Sequence, residues 1–415
     1  MFKKIDKISL ILAILPIIGI YSVAGINISN ITLVLFTIYG CYKSVVVKKK
    51  LKMTSIDKTL IVFFAYTILL SLINLTGSTY IDIVDMVTKY VHLFCFIFII
   101  AVFRRGMFKK ELSINPFINV AIIASCFLIV QFILYNIAGI KLYGVAESYR
   151  TNITDDITRP CAFFVEPAHF CRYCCLPLYY LVFKDNSKRR VFKIILISLA
   201  ILLSKSSIGY ITFAVVWLLW LLKNIRNGHI KLSTVKKGAL VVIPSIFAMF
   251  TLSTKYELFS FVLDHVSGLN MKEITSGNVR VFRGFFIWIQ EGILSKIFGV
   301  GFANVKSFLI SNRIRTIFDG ILETGNEYMS ALSYILVMNG IIGLIIFLFA
   351  IGKIYIKGHS NRILVILFLV LMVSNEELMT VDFMNIWLYL LLELDFKKQD
   401  IYKKIKINKE ILNRG

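Results

Sequence analysis

Charged residues are scarce in this chain of 415 residues, and several common nucleotide- and metal-binding motifs are missing. Only 17% of the residues are charged, whereas 58% are hydrophobic and the mean hydropathy is +0.78. A soluble domain has about 25% charged residues, so that class is excluded. The sequence has no Walker A, GxGxxG or HExxH pattern and therefore lacks the usual signatures of P-loop, dinucleotide-binding and zinc-protease sites. It also shows no internal repeat.

Cysteine is present, but its pattern favours neither disulfides nor a metal site. Three of the seven cysteines lie in apolar runs and are interpreted as small apolar residues. The others crowd one segment as CxxCC plus one more, and no second cluster completes four zinc ligands. A disulfide framework is typical of small secreted domains, a class excluded here. We therefore predict no metal site. The crowded cysteines are Cys161, Cys171, Cys174 and Cys175.

Long apolar runs recur from end to end, which predicts an all-α, polytopic integral membrane protein forming one membrane domain over residues 1–415. About 20 apolar residues are needed to cross a bilayer as a helix. The short pair of runs around Ser204-Lys205-Ser206 is either a tight helical hairpin or one broken helix. The twelve predicted spans are residues 8–25, 28–47, 59–76, 84–103, 117–138, 161–183, 191–203, 207–222, 239–254, 326–351, 363–378 and 383–396.

The formal net charge of +23 follows the predicted topology. If the amino terminus is cytoplasmic, 33 of the 47 basic residues but only 8 of the 24 acidic residues lie on that side. Cytoplasmic loops of membrane proteins carry this excess of Lys and Arg. The charge therefore does not indicate a nucleic-acid partner. It predicts a multi-pass protein of the cytoplasmic membrane with both termini cytoplasmic, and a large extracytoplasmic loop at residues 255–325.

The stretch RPCAFFVEPAHFCRY, which begins at Arg159, places ionisable residues where an apolar run starts. Glu166, His169 and Arg172 follow within one short segment. Such groups are costly at a membrane helix unless they face a water-filled cavity or each other. Pro167, inside the predicted span, is expected to break the helix. The stretch is either an interfacial helix end with snorkelling side chains or a polar binding or catalytic site.

The predicted external loop contains an amphipathic pattern at residues 277–298, GNVRVFRGFFIWIQEGILSKIF. Apolar and aromatic residues recur at helical spacing, which favours one helix lying at the bilayer surface, although packing would give the same pattern. Gly299-Val300-Gly301 is expected to end it. Arg280 and Arg283, one turn apart near its start, suit a phosphate or a carboxylate.

Polar residues also open the next apolar run. Asn326 and Glu327 stand at its predicted external end, where Asn326 is either a helix cap or a substrate contact. In an earlier run, Asp85 precedes Lys89 by four residues and is its predicted ion-pair partner.

The order of these segments resembles the O-antigen polymerase and ligase superfamily, specifically the Wzy-type polymerases of O-antigen and capsular polysaccharide. The similarity covers roughly residues 155–350, and each motif alone is loose. Their order and their shared predicted side make the match specific. The segments are RPCAFFVEP from Arg159, LLSKSSIGYITF at 202–213, RVFRGFFIWIQEGILSKIFGVGFANV at 280–305, and NEYMSALSYILVMNGIIGLIIF at 326–347.

The chain departs from the family pattern at several positions. Cys161 and Ala162 stand where many members have glycine, and Lys205 replaces an arginine. Gly325 stands where ligases usually have a histidine, which favours a polymerase over a ligase.

The resemblance implies a metal-independent membrane glycosyltransferase without a cofactor. It would join polyprenyl-diphosphate-linked oligosaccharide units at the outer face of the cytoplasmic membrane, with the lipid bilayer and a chain-length regulator as its other partners. An O-antigen ligase is the near alternative. A secondary transporter or flippase is the alternative from another class, although the ionisable residues cluster near one face and not at the midplane of broken, repeated helices.

Glycosyl transfer needs a base for the acceptor hydroxyl and stabilisation of the departing diphosphate. Glu166 is the leading candidate for the base, with His169 as the alternative, and fixed arginines would do the work of a metal ion. Structural pairing of Glu166 with Arg159 or Arg172 is the competing interpretation. The predicted catalytic residues are Glu166, His169, Arg159, Arg280 and Arg283, and the predicted substrate-binding residues are Arg172, Lys205, Asn326 and Glu327.

Overall fold

The structure of the protein is a computed structural model, and it is helical almost throughout the residues that it describes. One antiparallel pair of two-residue strands is the exception, so the all-α prediction is confirmed at the level of class. The predicted span 239–254 and residues 255–275 and 318–324 of the predicted loop 255–325 lie outside the described residues. The structure describes residues 7–19, 21–23, 26–47, 55–74, 83–104, 113–145, 159–228, 276–317, 325–358, 362–374 and 384–391.

The helix bounds follow the apolar runs, with shifts of a few residues at the ends. Residues 384–391 are also helical. In chain order the elements are α1 (Lys7–Ile18), β1 (Ser22–Val23), β2 (Ile26–Asn27), α2 (Ile28–Val47), α3 (Ser55–Ile73), α4 (Ile83–Arg104), α5 (Asn115–Ala138), α6 (Pro167–Phe183), α7 (Arg190–Leu203), α8 (Ser207–Arg226), α9 (Ser276–Gln290), α10 (Ile293–Phe298), a 3-10 turn (Phe302–Asn304), α11 (Val305–Ser311), α12 (Ala331–Lys357) and α13 (Arg362–Ser374).

Four described helices, α3, α5, α8 and α12, are long and apolar enough to cross a membrane. Three further apolar helical stretches are shorter, at Lys7–Ile18, Met86–Ala101 and Arg362–Val373. The helices therefore support a membrane protein, while the count of twelve spans stays a prediction.

The chain divides into two compact units. The first unit comprises Met1–Ser113 with Val281–Gly415, and the second comprises Ile114–Arg280. The division falls within α9, so that Arg280 belongs to the second unit and Arg283 to the first.

In the second unit, α6 packs against α5, α7 and α8 and supplies much of the core. Phe170, Cys174 and Leu178 are fully buried along it. Helix α8 approaches α6 closely because Gly209 has no side chain, and a Cβ there would collide with Cys171. This packing holds the beginning of α6 beside the turn between α7 and α8.

The turn between α7 and α8 is three residues long, Ser204–Ser206. Lys205 lies in the left-handed region with φ 52°, which reverses the chain. The Ser206 hydroxyl accepts a hydrogen bond from the Gly209 amide at 3.4 Å and caps α8. Helices α7 and α8 pack against each other, so the helical hairpin, and not one broken helix, is the arrangement found.

In the first unit, α3 and α12 form an antiparallel pair. Near one end, Lys353 Nζ donates to Thr59 Oγ1 at 2.8 Å. Nearer the other end, Asn339 Nδ2 donates to Thr67 Oγ1 at 2.8 Å. The two helices therefore run in opposite directions, and the Ile73 end of α3 lies at the level of the start of α12.

The predicted single helix over 277–298 is interrupted. Gly292 adopts an extended conformation with φ −64° and ψ 159°, so that the chain forms α9 and α10. Just before it, Glu291 is 4% exposed, and neither carboxylate oxygen has a hydrogen-bond partner within the described part of the chain. Burial raises the pKa of Glu291 to about 8, against a smaller opposing effect of the Lys296 charge.

Replacing Glu291 with glutamine is expected to stabilise the protein at alkaline pH. The pKa of Glu291 is about 8 in the folded protein and 4.5 ordinarily. The free energy of unfolding therefore decreases as pH rises from 4.5 to 8, and the destabilisation by the charged carboxylate is complete above pH 8. Glu291→Gln should raise the melting temperature in detergent far more above pH 8 than near pH 5. Asp185→Asn, measured in parallel, should give a difference that does not grow over this range. A Glu291→Gln effect of the same size at both pH values would contradict the prediction.

Candidate functional site

The site in the second unit is built around the start of α6. The helix begins at Pro167, its first position, where the missing amide hydrogen costs nothing. The prediction that Pro167 breaks a helix beginning near residue 161 is therefore wrong. Glu166 is the N-cap, extended at φ −134° and ψ 155°, but its side chain makes no capping hydrogen bond. The carboxylate points away from its own helix terminus and is directed to another partner.

The segment before α6 is held to α5 by one buried polar side chain. Gln131 Oε1 accepts from the Ala162 amide at 2.8 Å, and Gln131 Nε2 donates to the Leu142 carbonyl at 3.0 Å. Ala162 has φ 54°, a conformation that favours glycine. Sequence analysis missed Gln131, although a polar residue within an apolar span is a recognisable signal.

An ion pair joins two sequence segments that are 114 residues apart. Arg280 Nη2 lies 3.3 Å from Glu166 Oε2. The two side chains are 12% and 31% exposed, so the pair is mostly shielded from solvent but the carboxylate remains accessible. The pair between Glu166 and Arg280 is one that the sequence did not suggest. The structural pairing of Glu166 with Arg159 or Arg172 stays a prediction.

Other predicted site residues surround this pair. Arg172 and Arg280 are the charged neighbours of His169. Arg172 is only 4% exposed. Its position on α6, one turn after His169, follows from the helical spacing of the two residues. Glu166, His169, Arg172 and Arg280 therefore form one cluster within the second unit.

Arg159 connects this cluster to the hairpin turn. It lies in electrostatic range of Cys161, Cys171 and Tyr210, and Cys161 is also in range of Glu166. Cys171 Sγ lies 3.2 Å from Ser204 Oγ. The turn that carries Lys205 is thus next to the helix that carries His169 and Arg172. Two segments that are separate in sequence, 159–172 and 204–206, therefore meet here.

The cluster combines an excess of positive charge with one carboxylate and one imidazole. Arginine guanidiniums held by the fold suit an anion with several oxygens, because they need not reorganise when it binds. A partly exposed carboxylate beside them can accept a proton from a hydroxyl. The arrangement is therefore suited to a reaction in which a hydroxyl attacks and an anionic group departs. The cations are Arg159, Arg172 and Arg280.

Arg283 lies in the first unit and is bonded to backbone. It is 2% exposed, and its Nη1 donates to the Asn326 carbonyl at 2.6 Å and the Tyr328 carbonyl at 3.3 Å. These bonds fasten the segment before α12 to α9. The N-cap of α12 is Ser330, so the interpretation of Asn326 as a helix cap is wrong. The Asn326 side-chain oxygen instead accepts from the Tyr328 amide at 2.7 Å.

Glu327 has both oxygens engaged in the first unit. Oε2 lies 2.6 Å from Lys89 Nζ, and Oε1 accepts from the Lys306 amide at 2.9 Å. Lys89 thus pairs with Glu327 across 238 residues of sequence. The pairing of Lys89 with Asp85 stays a prediction. The side chain of Asp85 is outside the described part of the chain.

The described residues show no metal centre, and the comparisons with known proteins found nothing. Among the described residues, no group of three His, Cys, Asp or Glu side chains is placed to hold a metal ion. No protein-family model, curated protein or solved structure matches the chain. The chemistry of the cluster and the order of its motifs are therefore the grounds for a function.

Proposed function

We propose that the protein is a membrane polysaccharide polymerase of the Wzy type. It would join polyprenyl-diphosphate-linked oligosaccharide units into O-antigen or capsular polysaccharide at the outer face of the cytoplasmic membrane. The observation that carries the proposal is the ion pair between Glu166 and Arg280 at 3.3 Å. This ion pair joins the segment that begins at Arg159 to the segment that begins at Arg280, two of the segments on which the family resemblance rests. It also places a carboxylate among arginines.

In the proposed reaction, Glu166 accepts the proton of an acceptor sugar hydroxyl. The hydroxyl oxygen forms the new glycosidic bond to the anomeric carbon of the donor, while the bond from that carbon to the diphosphate oxygen breaks. The electron pair of the broken bond leaves with the polyprenyl diphosphate. His169 is the alternative base, because it lies in the same charged cluster.

The arginines would stabilise the diphosphate as it departs. Arg280, Arg172 and Arg159 are cations whose positions are set by α6 and the segments packed on it. Fixed cations of this kind favour the transition state more than a mobile lysine would. This supports a mechanism without a metal ion.

The side of the membrane and the partners follow from the charge distribution and the resemblance. The excess of basic residues on alternate loops favours cytoplasmic termini, an outward-facing site and a cytoplasmic-membrane location. The bilayer and the lipid-linked oligosaccharide are the proposed partners, with a chain-length regulator as a further one. Lys205, Asn326 and Glu327 remain proposed substrate contacts, although Glu327 is occupied by Lys89 and Lys306 in this structure.

Deleting the gene and examining the surface glycan tests the proposal. A polymerase deletion should leave single repeat units attached to the lipid carrier. Long polymer retained on the carrier would instead indicate a ligase. Unchanged surface glycan, or repeat units retained on the cytoplasmic face, would overturn the proposed activity, the second result favouring a flippase.

Glu166→Gln is expected to reduce polymer far more than Asp155→Asn. Glutamine keeps the size of the side chain but can neither accept the proton nor form the charged pair with Arg280. Asp155, which lies outside the described residues, is an acidic residue from the same predicted external side. Polymer length and amount on a gel, at matched protein levels, give the comparison. The reverse ranking would move the base away from Glu166.

A further inference from the structure

Helix α10 exposes most of its apolar side chains, although the helix is packed against α12 on another side. The exposed fractions are 75% for Ile293, 69% for Leu294, 37% for Ile297 and 43% for Phe298. A contiguous apolar surface of this kind marks contact with lipid, a partner or a ligand. The position of α10 along the helices long enough to cross a membrane indicates which of these three the surface contacts.

The end of α10 lies well inside the length of α3 and α12. The Tyr66 hydroxyl of α3 donates to the Phe298 carbonyl at 2.8 Å. The Ile297 carbonyl lies against Gly340 of α12, where there is no room for a Cβ. At 1.5 Å per residue, Tyr66 is about 10 Å from the Ile73 end of α3, and Gly340 is about 13 Å from the start of α12. Both distances place this contact at the depth of acyl chains in a hydrocarbon layer of about 30 Å.

Helix α12 is broken at the same level, and the chain after α10 bonds to it there. Gly340 has φ 62° and ψ −170°, which no helix contains. Beside the break, the Val300 amide donates to the Val337 carbonyl at 3.1 Å and the Gly301 amide donates to the Met338 carbonyl at 2.7 Å. Irregular backbone is tolerated at membrane depth only where protein satisfies its polar groups. These bonds meet that condition.

The chain then returns toward the end from which it came. The Tyr334 hydroxyl, three residues into α12, donates to the Phe302 carbonyl at 3.3 Å. Asn304 Nδ2 donates to the carbonyl of Ser71, two residues from the end of α3, at 2.8 Å. On the incoming side, Gly284 contacts Ser333 near the start of α12. The segment therefore enters and leaves at the same end of the helix pair.

We propose that residues 292–304 are a re-entrant segment, whose exposed apolar side chains contact the acyl chains of the leaflet at the Ile73 end of α3. This differs from the expectation of a helix lying on the bilayer surface. Acyl chains are the occupant because α10 packs on α12 and its end is bonded to α3, two helices long and apolar enough to cross a membrane, at a depth where water is excluded. The inference uses contacts within the first unit and does not depend on the proposed function.

Cysteine labelling in the full-length protein tests the proposal. Leu294→Cys and Ile293→Cys are placed on α10, and Ile317→Cys, 56% exposed beyond α11, is the matched control. With an impermeant maleimide in membranes opened to both faces, the two α10 cysteines should show no labelling above the parent protein. Ile317→Cys should label strongly. In detergent, all three should label.

The alternative occupants give different results. Labelling of the α10 cysteines in membranes at the level of Ile317→Cys would show a face in contact with water and overturn the proposal. Protection that persists in detergent would show that protein covers the face, which would also overturn it. A spin label can be attached to Leu294→Cys in detergent, and the labelled protein can then be reconstituted into membranes. The label should be more accessible to oxygen than to a water-soluble nickel complex. The reverse would contradict lipid contact.

Discussion

Arg280→Ala is expected to abolish long polymer while the protein accumulates normally in the membrane. The substitution removes a guanidinium that lies 3.3 Å from Glu166 and beside His169. In the proposed mechanism this loses stabilisation of the departing diphosphate and the group that orients the base. Loss of one such interaction lowers turnover by about a hundredfold or more. Polymer should be measured on a gel and protein level by immunoblot of membranes.

Two further variants separate a catalytic role from a structural one. Arg315→Ala removes an exposed arginine from the same predicted external region and should leave polymer unchanged. The charge-swapped protein, Glu166→Arg with Arg280→Glu, can restore the ion pair but reverses the groups facing the substrate. It should remain inactive. Polymer in the charge-swapped protein would show that the pair serves only to hold residues 166 and 280 together within the second unit. Normal polymer in Arg280→Ala would remove Arg280 from the mechanism.

Arg283→Ala, only three residues away, is expected to destabilise the fold. Arg283 is 2% exposed and holds the carbonyls of Asn326 and Tyr328. Its removal leaves these acceptors without a charged donor and creates a buried void, a loss of about 3 kcal/mol in the free energy of unfolding. The melting temperature of the protein in detergent and its steady-state level in membranes should both fall.

The same measurements on Arg280→Ala give the contrast. Its ion pair is partly exposed, so its removal should lower the melting temperature less than that of Arg283. Arg283→Lys keeps a charge but cannot reach both carbonyls in the same geometry, and should recover only part of the stability. An Arg283→Ala protein of normal stability that makes no polymer would instead assign Arg283 to the substrate, as the sequence alone had suggested.

Much of the fold was predictable because each membrane helix is determined by its own composition. The run at 28–47 coincides with α2, and the run at 117–138 differs from α5 by two residues at the start. Helix starts were less predictable where proline or polar residues stood within an apolar run. Residues 161–166 are apolar enough to extend a span, yet Pro167 and Gln131 favour an irregular segment that ends at the first turn of α6.

Candidate residues of the site were recognisable by type, but their partners were not. A charged residue at the edge of an apolar run is conspicuous in any sequence. Which opposite charge it meets depends on contacts between distant helices. The partner that the structure shows for Lys89 is Glu327, 238 residues away in sequence. Similarly, Arg280 and Arg283 look equivalent along the chain, but one pairs with a carboxylate and the other with backbone carbonyls.

The sequence alone determined that the chain forms apolar helices, several of them long enough to cross a membrane, and it identified the segments in which ionisable side chains accompany apolar runs. Hydrophobicity and turn chemistry are local properties, and a lipid environment leaves a backbone few alternatives to the helix. Only the tertiary structure decided that Glu166 meets Arg280, that Arg283 is buried, and that α12 breaks at Gly340 to receive the chain after α10. These features depend on shape and hydrogen bonding between helices far apart in sequence, which no local pattern records.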